Sequence, residues 1–151
     1  MLIVDSREQW TQDRRGRIQD THISDYLVRH NIQWRREMLP VGDYMMDGGS
    51  ISVDRKQSLE ELSHNLLNPA DKKRFWAEAR LAYNLGIRLI VLVESNRYKA
   101  QAEIQGWHSK YSPATGYAVM RQMDKIRRCY GVEFIFCSKR TTAKRIMEIL
   151  Q

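Results

Sequence analysis

Two aspartates and a lysine near the middle of the chain, Asp43, Asp54 and Lys56, stand in the pattern D-x(10)-D-x-K. Between the two acids lies Gly48-Gly49, a pair suited to a two-residue turn with positive φ. In that register Asp47 faces Ser50 and Asp43 faces Asp54, with Cβ atoms about 5 Å apart. Side chains alternate along a strand, so Lys56 shares the face of Asp54 while Val53 and Arg55 point to the other. Like charges opposite each other destabilise a sheet, and a divalent cation between them removes the penalty. Magnesium, or manganese in its place, suits such a site, because a hard cation takes one or two carboxylates and completes its shell with water and phosphate oxygens. An adjacent lysine could orient or deprotonate a water, or stabilise developing negative charge.

Two other readings of the same residues stay open. The bare pattern is common by chance and equally describes a solvent-facing hairpin in which Lys56 balances Asp54. A three-residue turn over 47–49 would shift the register by one and carry Asp43 away from Asp54.

The elements that must position these residues follow from periodicity. Residues 2–4 form a short strand ending at Asp5, and Asp20 can cap a helix with apolar positions Ile23, Tyr26 and Leu27. Residues 33–39, 42–47 and 50–56 read as three strands, a hairpin with a meander before it. Ser58 and Glu61 have capping-box spacing, and Leu59, Leu62, Leu66 and Leu67 make the apolar side of the helix that follows. Pro69 interrupts, and a second helix runs to Gly86. The nearly unbroken apolar run 87–93, closed by Glu94, has the pattern of a central strand buried on both faces. Residues 95–113 show no clean period. A helix over 114–130, a strand over 132–137 and a helix over 141–150 complete the order β, α, β, β, β, α, α, β, α, β, α. That order implies an α/β fold, a mixed sheet covered by helices.

The chain has 151 residues, 42% hydrophobic and 28% charged, values of a self-folding globular domain rather than a disordered segment. One domain over 1–151 is the simplest organisation, since no repeat or linker-like stretch divides it. No apolar run reaches the roughly 18 to 20 residues needed to span a bilayer, and the first residues are too short in apolar character for a signal peptide, so the expected location is cytoplasmic or nucleoid-associated rather than secreted. Cys129 and Cys137 lack the spacing of a zinc site and the number of a disulfide framework, and are expected to fill the core. A net charge of +7 and a pI of about 9.6 suit a polyanionic partner, though a basic chain alone is a weak indication of one.

These residues resemble a known family, the nuclease domain of the XPF and archaeal Hef type. Its signature is G-D, a gap, then E-R-K-x3-D, and here Gly42-Asp43 is followed by Asp54-Arg55-Lys56, Gln57-Ser58-Leu59 and Glu60. The family tends to open with D-x-R-E at the end of its first strand, matched by Asp5-Ser6-Arg7-Glu8. Lys73-Arg74-Phe75 with Glu78 looks like its R-L-x-x-Q helix, and the run 89–93 closed by Glu94 looks like its next strand. The resemblance covers residues 3 to about 137. It implies a restriction-endonuclease-like core and a Mg2+- or Mn2+-dependent endonuclease acting on branched, forked or flap DNA, in repair or recombination. It also implies Asp5, Glu8 and Glu60 as supporting acids, Arg7, Arg55 and Arg74 as phosphate or acid partners, and a homodimer or heterodimer as the assembly. Asp54 stands where the family usually has Glu, Glu60 where it has Asp, and Glu78 where it usually has Gln; the last adds a charge. Nothing after Lys139 looks like the tandem helix-hairpin-helix domain that relatives use to grip DNA, which suggests a stand-alone nuclease domain.

Further basic positions are candidates for DNA contact. Arg121, Lys125 and Arg128 share one side of the 114–130 helix, opposite Val119, Met123, Ile126 and Tyr130, and Lys139, Arg140, Lys144 and Arg145 cluster near the end. Each group equally fits an ordinary solvated face. Trp107 and Tyr111 could stack on an unpaired base or cap the core. Ile146, Ile149 and Leu150 could face a second copy or the interior. His22, His30, His64 and His108 form no metal-spaced pair, which disfavours histidine-zinc chemistry. Two rival functions remain: a non-catalytic DNA-binding or scaffolding module, and a resolvase or restriction-type nuclease of the same fold.

Overall fold

The computed structural model describes residues 1–8, 10 and 21–151, with Thr21 described by its backbone alone. Its elements are β1 (Leu2–Asp5), α1 (Thr21–Arg29), β2 (Trp34–Glu37), β3 (Tyr44–Met46), β4 (Ile51–Lys56), α2 (Leu59–Leu67), α3 (Pro69–Asn84), β5 (Arg88–Glu94), α4 (Gly116–Tyr130), β6 (Glu133–Cys137) and α5 (Thr142–Leu150), with short 3-10 turns at Gln101–Gly106 and Lys139–Thr141. Their order along the chain is the one periodicity predicts. The cap expected at Asp20 lies outside the described residues.

Local chemistry explains the helix ends. Ser58 Oγ accepts the Glu61 amide at 3.1 Å, and the Glu61 carboxylate takes the Gln57 amide at 2.8 Å, so α2 starts where β4 stops. Pro69 opens α3 rather than merely breaking α2, since its missing N–H is no loss in a first turn; Asn68 caps that turn. Thr115 caps α4 through the Ala118 amide at 3.2 Å.

The strands form one sheet in the order β2-β1-β3-β4-β5-β6. All run in one direction except β3, which is antiparallel to both of its neighbours. The expected meander is therefore corrected: β2 does not pair with β3 but crosses over through α1 to lie parallel to β1. Burial explains the swap. All four residues of β1 are buried and need a neighbour on each side, whereas β2, Trp34-Arg35-Arg36-Glu37, carries the charges that suit a sheet edge. Strands β2 and β3 are also shorter than the expected 33–39 and 42–47.

The β3–β4 hairpin has the register read from the sequence, with Tyr44 opposite Val53 and Met45 opposite Ser52. Its turn closes with the Gly49 amide donating to the Met46 carbonyl at 2.8 Å, and Gly48 alone, at φ +74°, takes the left-handed conformation. Asp43 sits just beyond the ladder, its amide bound to the Val53 carbonyl at 2.8 Å.

Helices α2, α3 and α4 cover one face of the sheet over Leu89, Val91 and Val93, and α1 and α5 cover the other over Leu2, Val4, Tyr44, Val53 and Leu92. Each fully buried aliphatic side chain contributes roughly 1.5–3 kcal/mol. Ile146 and Leu150 are buried within the chain, and Trp107 packs against the first core. Cys137 is buried as expected, but Cys129 is exposed, on the outer side of α4. Among the described residues no helix is long and apolar enough to cross a membrane.

Candidate active site

Because five strands run together, the carboxyl ends of β1, β4 and β5 meet at one edge, which is where open α/β sheets bind ligands. Asp5 closes β1, Asp54-Arg55-Lys56 closes β4 and Glu94 closes β5, while the reversed β3 brings Asp43 to the same edge from its amino end. A cavity of about 420 Å³ opens there, lined by Asp5, Arg7, Gly42, Asp43, Asp54, Lys56 and Glu78 among others. The sequence-derived trio thus shares one cavity with three further charged residues.

Gly42 makes that approach possible. It lies at φ +72°, and a Cβ there would stand 2.0 Å from Ser52 Oγ, which itself donates to the Val41 carbonyl at 2.8 Å. Glu78, from α3, reaches across to accept the Gly42 amide at 2.7 Å. Asp43 Oδ2 then accepts the Arg55 amide at 2.7 Å, which fixes the carboxylate next to β4. Sequence reasoning flagged Glu78 only as a departure from the family pattern; the bond to Gly42 joins residues 36 apart and has no local signal.

Acidic charge is crowded in this cavity. Burial pushes Asp43 well above the usual carboxylate range, and the charges of Asp54 and Glu8 push it further. Glu78 is raised by burial and then by Asp54, against the pull of the Gly42 amide. Lys56 Nζ lies 3.2 Å from Asp54 Oδ2, 3.2 Å from Asn65 Oδ1 and 5.5 Å from the centre of the Phe75 ring. Burial pulls the lysine down, but Asp54, Asp43 and Glu61 outweigh it and hold the ammonium above its ordinary value. Lys56 is therefore held as an ammonium as long as those acids carry their charge uncompensated.

Asp5 behaves differently. Burial raises it, yet the Arg7 side chain and the Leu39 and Arg7 amides outweigh that and hold its carboxyl below the usual range. Both of its oxygens are engaged, Oδ1 by the Arg7 amide and Nε at 2.8 and 2.9 Å, Oδ2 by the Leu39 amide at 2.8 Å. It is better placed to hold Arg7 at the cavity rim than to bind a cation.

Asp43 and Asp54 fit a hard divalent ion. Asp54 Oδ2 is buried with no well-aligned hydrogen bond, faced by the Lys56 ammonium at 3.2 Å, and the negative charge of each acid is felt by the cavity's other groups. Among the described residues no three His, Cys, Asp or Glu side chains form a ready-made metal cage. Two carboxylates with water suffice for Mg2+ or Mn2+, which keep much of their hydration.

The other sequence-derived residues are dispersed. Arg55 points to the opposite face of the sheet, paired with Glu94 through Nε and 4.0 Å from Glu8. Glu8 does not line the cavity, though its charge reaches Asp43, and burial raises it to about 7 despite the pull of Arg55 and Tyr44. Trp10 Nε1 donates to Tyr44 Oη at 3.0 Å and closes this cluster. Glu60, expected as a supporting acid, lies in the first turn of α2 and does not line the Asp43–Asp54 cavity; it accepts Ser109 Oγ at 2.6 Å and the Lys110 amide at 2.8 Å. Arg74 is exposed and paired with Asp71. Arg121, Lys125 and Arg128 are exposed on α4, the first over Tyr117 and the second over Trp76, and Lys139 and Arg140 are exposed in the turn after β6. Asn65, partner of Lys56, has no signal in the sequence, and Glu94, legible there as the acid closing an apolar strand, is found here to pair with Arg55.

Comparison with solved structures places this architecture beside the XPF from Aeropyrum pernix, with a TM-score of 0.69 and 19% identity, and beside the same protein in complex with DNA, with a TM-score of 0.61 and 19% identity. Each alignment covers 99% of this chain and 62% of the other, so the chain spans less than two thirds of those relatives. Curated protein sequences give no match. The model of the ERCC4 domain matches residues 4–150, from within β1 to the end of α5. The match takes in the whole sheet edge that carries Asp43, Asp54 and Lys56, and by it this chain belongs to the ERCC4 domain family.

Proposed function

We propose that the protein is a divalent-metal-dependent endonuclease that hydrolyses DNA phosphodiester bonds, with branched, forked or flap DNA as its substrate class. The observation that carries this reading is the convergence of Asp43, Asp54 and a charged Lys56 on one cavity. Family membership supports it, and the Aeropyrum pernix relative solved with DNA supports DNA as the polymer.

Asp43 and Asp54 would hold Mg2+ or Mn2+, which when bound supplies a positive charge beside the scissile phosphate and acidifies water. Asp54 and Asp43 hold Lys56 as an ammonium while no cation compensates them; beside a bound cation it would orient the attacking water or take its proton, and stabilise the negative charge that builds on the phosphate oxygens. Asn65 fixes the ammonium from the α2 side. Arg7, held by Asp5, stands at the rim where a neighbouring phosphate would pass. Arg74, Arg121, Lys125, Arg128, Lys139 and Arg140 lie outside the cavity and would bind the DNA backbone without reading its sequence.

Incubation with labelled flap, fork and linear DNA, with and without Mg2+, tests the reading. Metal-dependent cutting of at least one substrate is expected, lost in Lys56→Ala while DNA affinity persists. Binding of every substrate with cutting of none would overturn it in favour of a non-catalytic module.

A further inference from the structure

We infer that the cavity between α2 and the 108–115 loop receives an unpaired nucleobase of the strand being cut, an assignment that rests on the nuclease reading above. This cavity, of about 820 Å³, lies beyond the Lys56–Asn65 hydrogen bond: Asn65 accepts from Lys56 Nζ at 3.2 Å and also lines the cavity wall. Glu61, whose charge helps hold the Lys56 proton, lines the same wall. A nucleotide whose phosphate sits beside Lys56 therefore has its sugar and base within reach of this space.

The lining selects a base over a phosphate. It contains no lysine or arginine, and its one histidine, His64, lies 2.7 Å from the Asp71 carboxylate. Its carboxylates repel an anion. Asn65 is taken by Lys56 and the Glu61 carbonyl, and Glu61, Asn68 and Thr115 each spend one oxygen on a helix cap. That leaves the second Glu61 oxygen, the Asn68 amide nitrogen and the Thr115 hydroxyl proton to match a base edge. At the mouth stands Tyr111, a residue 86% exposed. Its loop is nevertheless pinned, because Glu60 accepts Ser109 Oγ and the Lys110 amide, and Ser109 Oγ accepts the Tyr111 amide at 3.1 Å. An aromatic ring held out on an anchored loop is a stacking platform, and only a base released from its duplex partner can reach it. Glu60 thereby gains a role as the positioning residue for Tyr111.

Fluorescence anisotropy in EDTA with fork DNA tests this, using an abasic residue stepped through the single-stranded positions next to the mapped cut. The intact protein should lose roughly tenfold in affinity at one position, the worth of a single base–aromatic stack. Tyr111→Ala should bind intact fork with that same roughly tenfold loss and show no further abasic penalty, and Tyr111→Phe should restore the wild-type pattern. Ala118→Phe, which fills the cavity and leaves Tyr111 in place, should also abolish the penalty. Tight fork binding with no abasic penalty anywhere, or a penalty that survives in both Tyr111→Ala and Ala118→Phe, overturns the inference alone. Failure to bind any DNA overturns the nuclease reading as well.

Discussion

On one face of β4, Asp54 and Lys56 look into a cavity shared with Asp43 and Glu78; on the other, one residue away, Arg55 is closed between Glu94 and Glu8 beneath Tyr44 and Trp10. Both faces hold more acid than base. They differ in what they border: the Arg55 and Glu94 side chains, 2% and 1% exposed, are enclosed by protein, whereas Asp54 and Lys56, at 6% and 9%, line an open cavity with half-buried Asp43 and Glu78. Charge crowded against a cavity is available for an incoming cation to neutralise, while charge locked in the interior is neutralised by the fold itself. Alternation along a single strand thus places reactivity on one side and rigidity on the other.

The comparison breaks most visibly at the cavity. Asp43→Asn keeps an oxygen to accept the Arg55 amide but removes the charge, so single-turnover cleavage should fall by on the order of 10³-fold. Metal-free stability in urea should hold or rise, because repulsion with Asp54 is relieved. Parallel loss of activity and folding would show that this face is structural after all. Arg55→Met should do the reverse, costing about 3–5 kcal/mol of stability by leaving Glu94 buried without its partner. A urea midpoint unchanged in Arg55→Met would erase the distinction between the faces.

Titration sharpens the contrast. Glu8, Asp43 and Glu78 all have native values above their ordinary ones, so the folded chain holds more protons than the unfolded one. Their contribution is complete below the unfolded carboxyl range and is lost as pH rises through the native values, about 7 for Glu8. Urea unfolding in EDTA should therefore show stability falling from pH 5 to pH 8. Mg2+ should restore the part due to the cavity, and Glu8→Gln should flatten the remainder. A metal-free profile that climbs over this range would contradict the assignment. The smallest effect is expected at Glu78: Glu78→Gln preserves an acceptor for the Gly42 amide and should cut within a few-fold of wild type, whereas Glu78→Ala should lose about tenfold, the consequence of freeing that amide beside Asp43. Equal rates for the two variants would remove Glu78 from the positioning of the loop.

Much of this was legible from residue order because its causes are local. Gly48-Gly49 and period-two alternation fix the β3–β4 register, and with it the meeting of Asp43, Asp54 and Lys56. The Ser58 cap and the leucines of α2 are equally short-range. The sheet order was not legible, since the choice between β2 beside β3 and β2 beside β1 is made by burial of Leu2, Ile3 and Val4 and by the crossover through α1. The contacts of Glu60 with Ser109 and Lys110 were not legible, because its distance from Lys56 along the chain says nothing of which way the first turn of α2 points it. Glu78 and Asn65 act across the fold, on partners 36 and 9 residues away, and neither has a periodic signature.

The tight seat of Gly42 carries a genetic corollary. Its left-handed backbone and the 2.0 Å approach to Ser52 Oγ are separate obstacles to any side chain at that position. Trimming the neighbour in a Ser52→Ala background lifts the first collision but not the torsional one, and the Val53 carbonyl would still stand 3.1 Å away. In a saturation screen scored by survival of cutting, position 42 should accept no replacement, and no single suppressor at position 52 should rescue it.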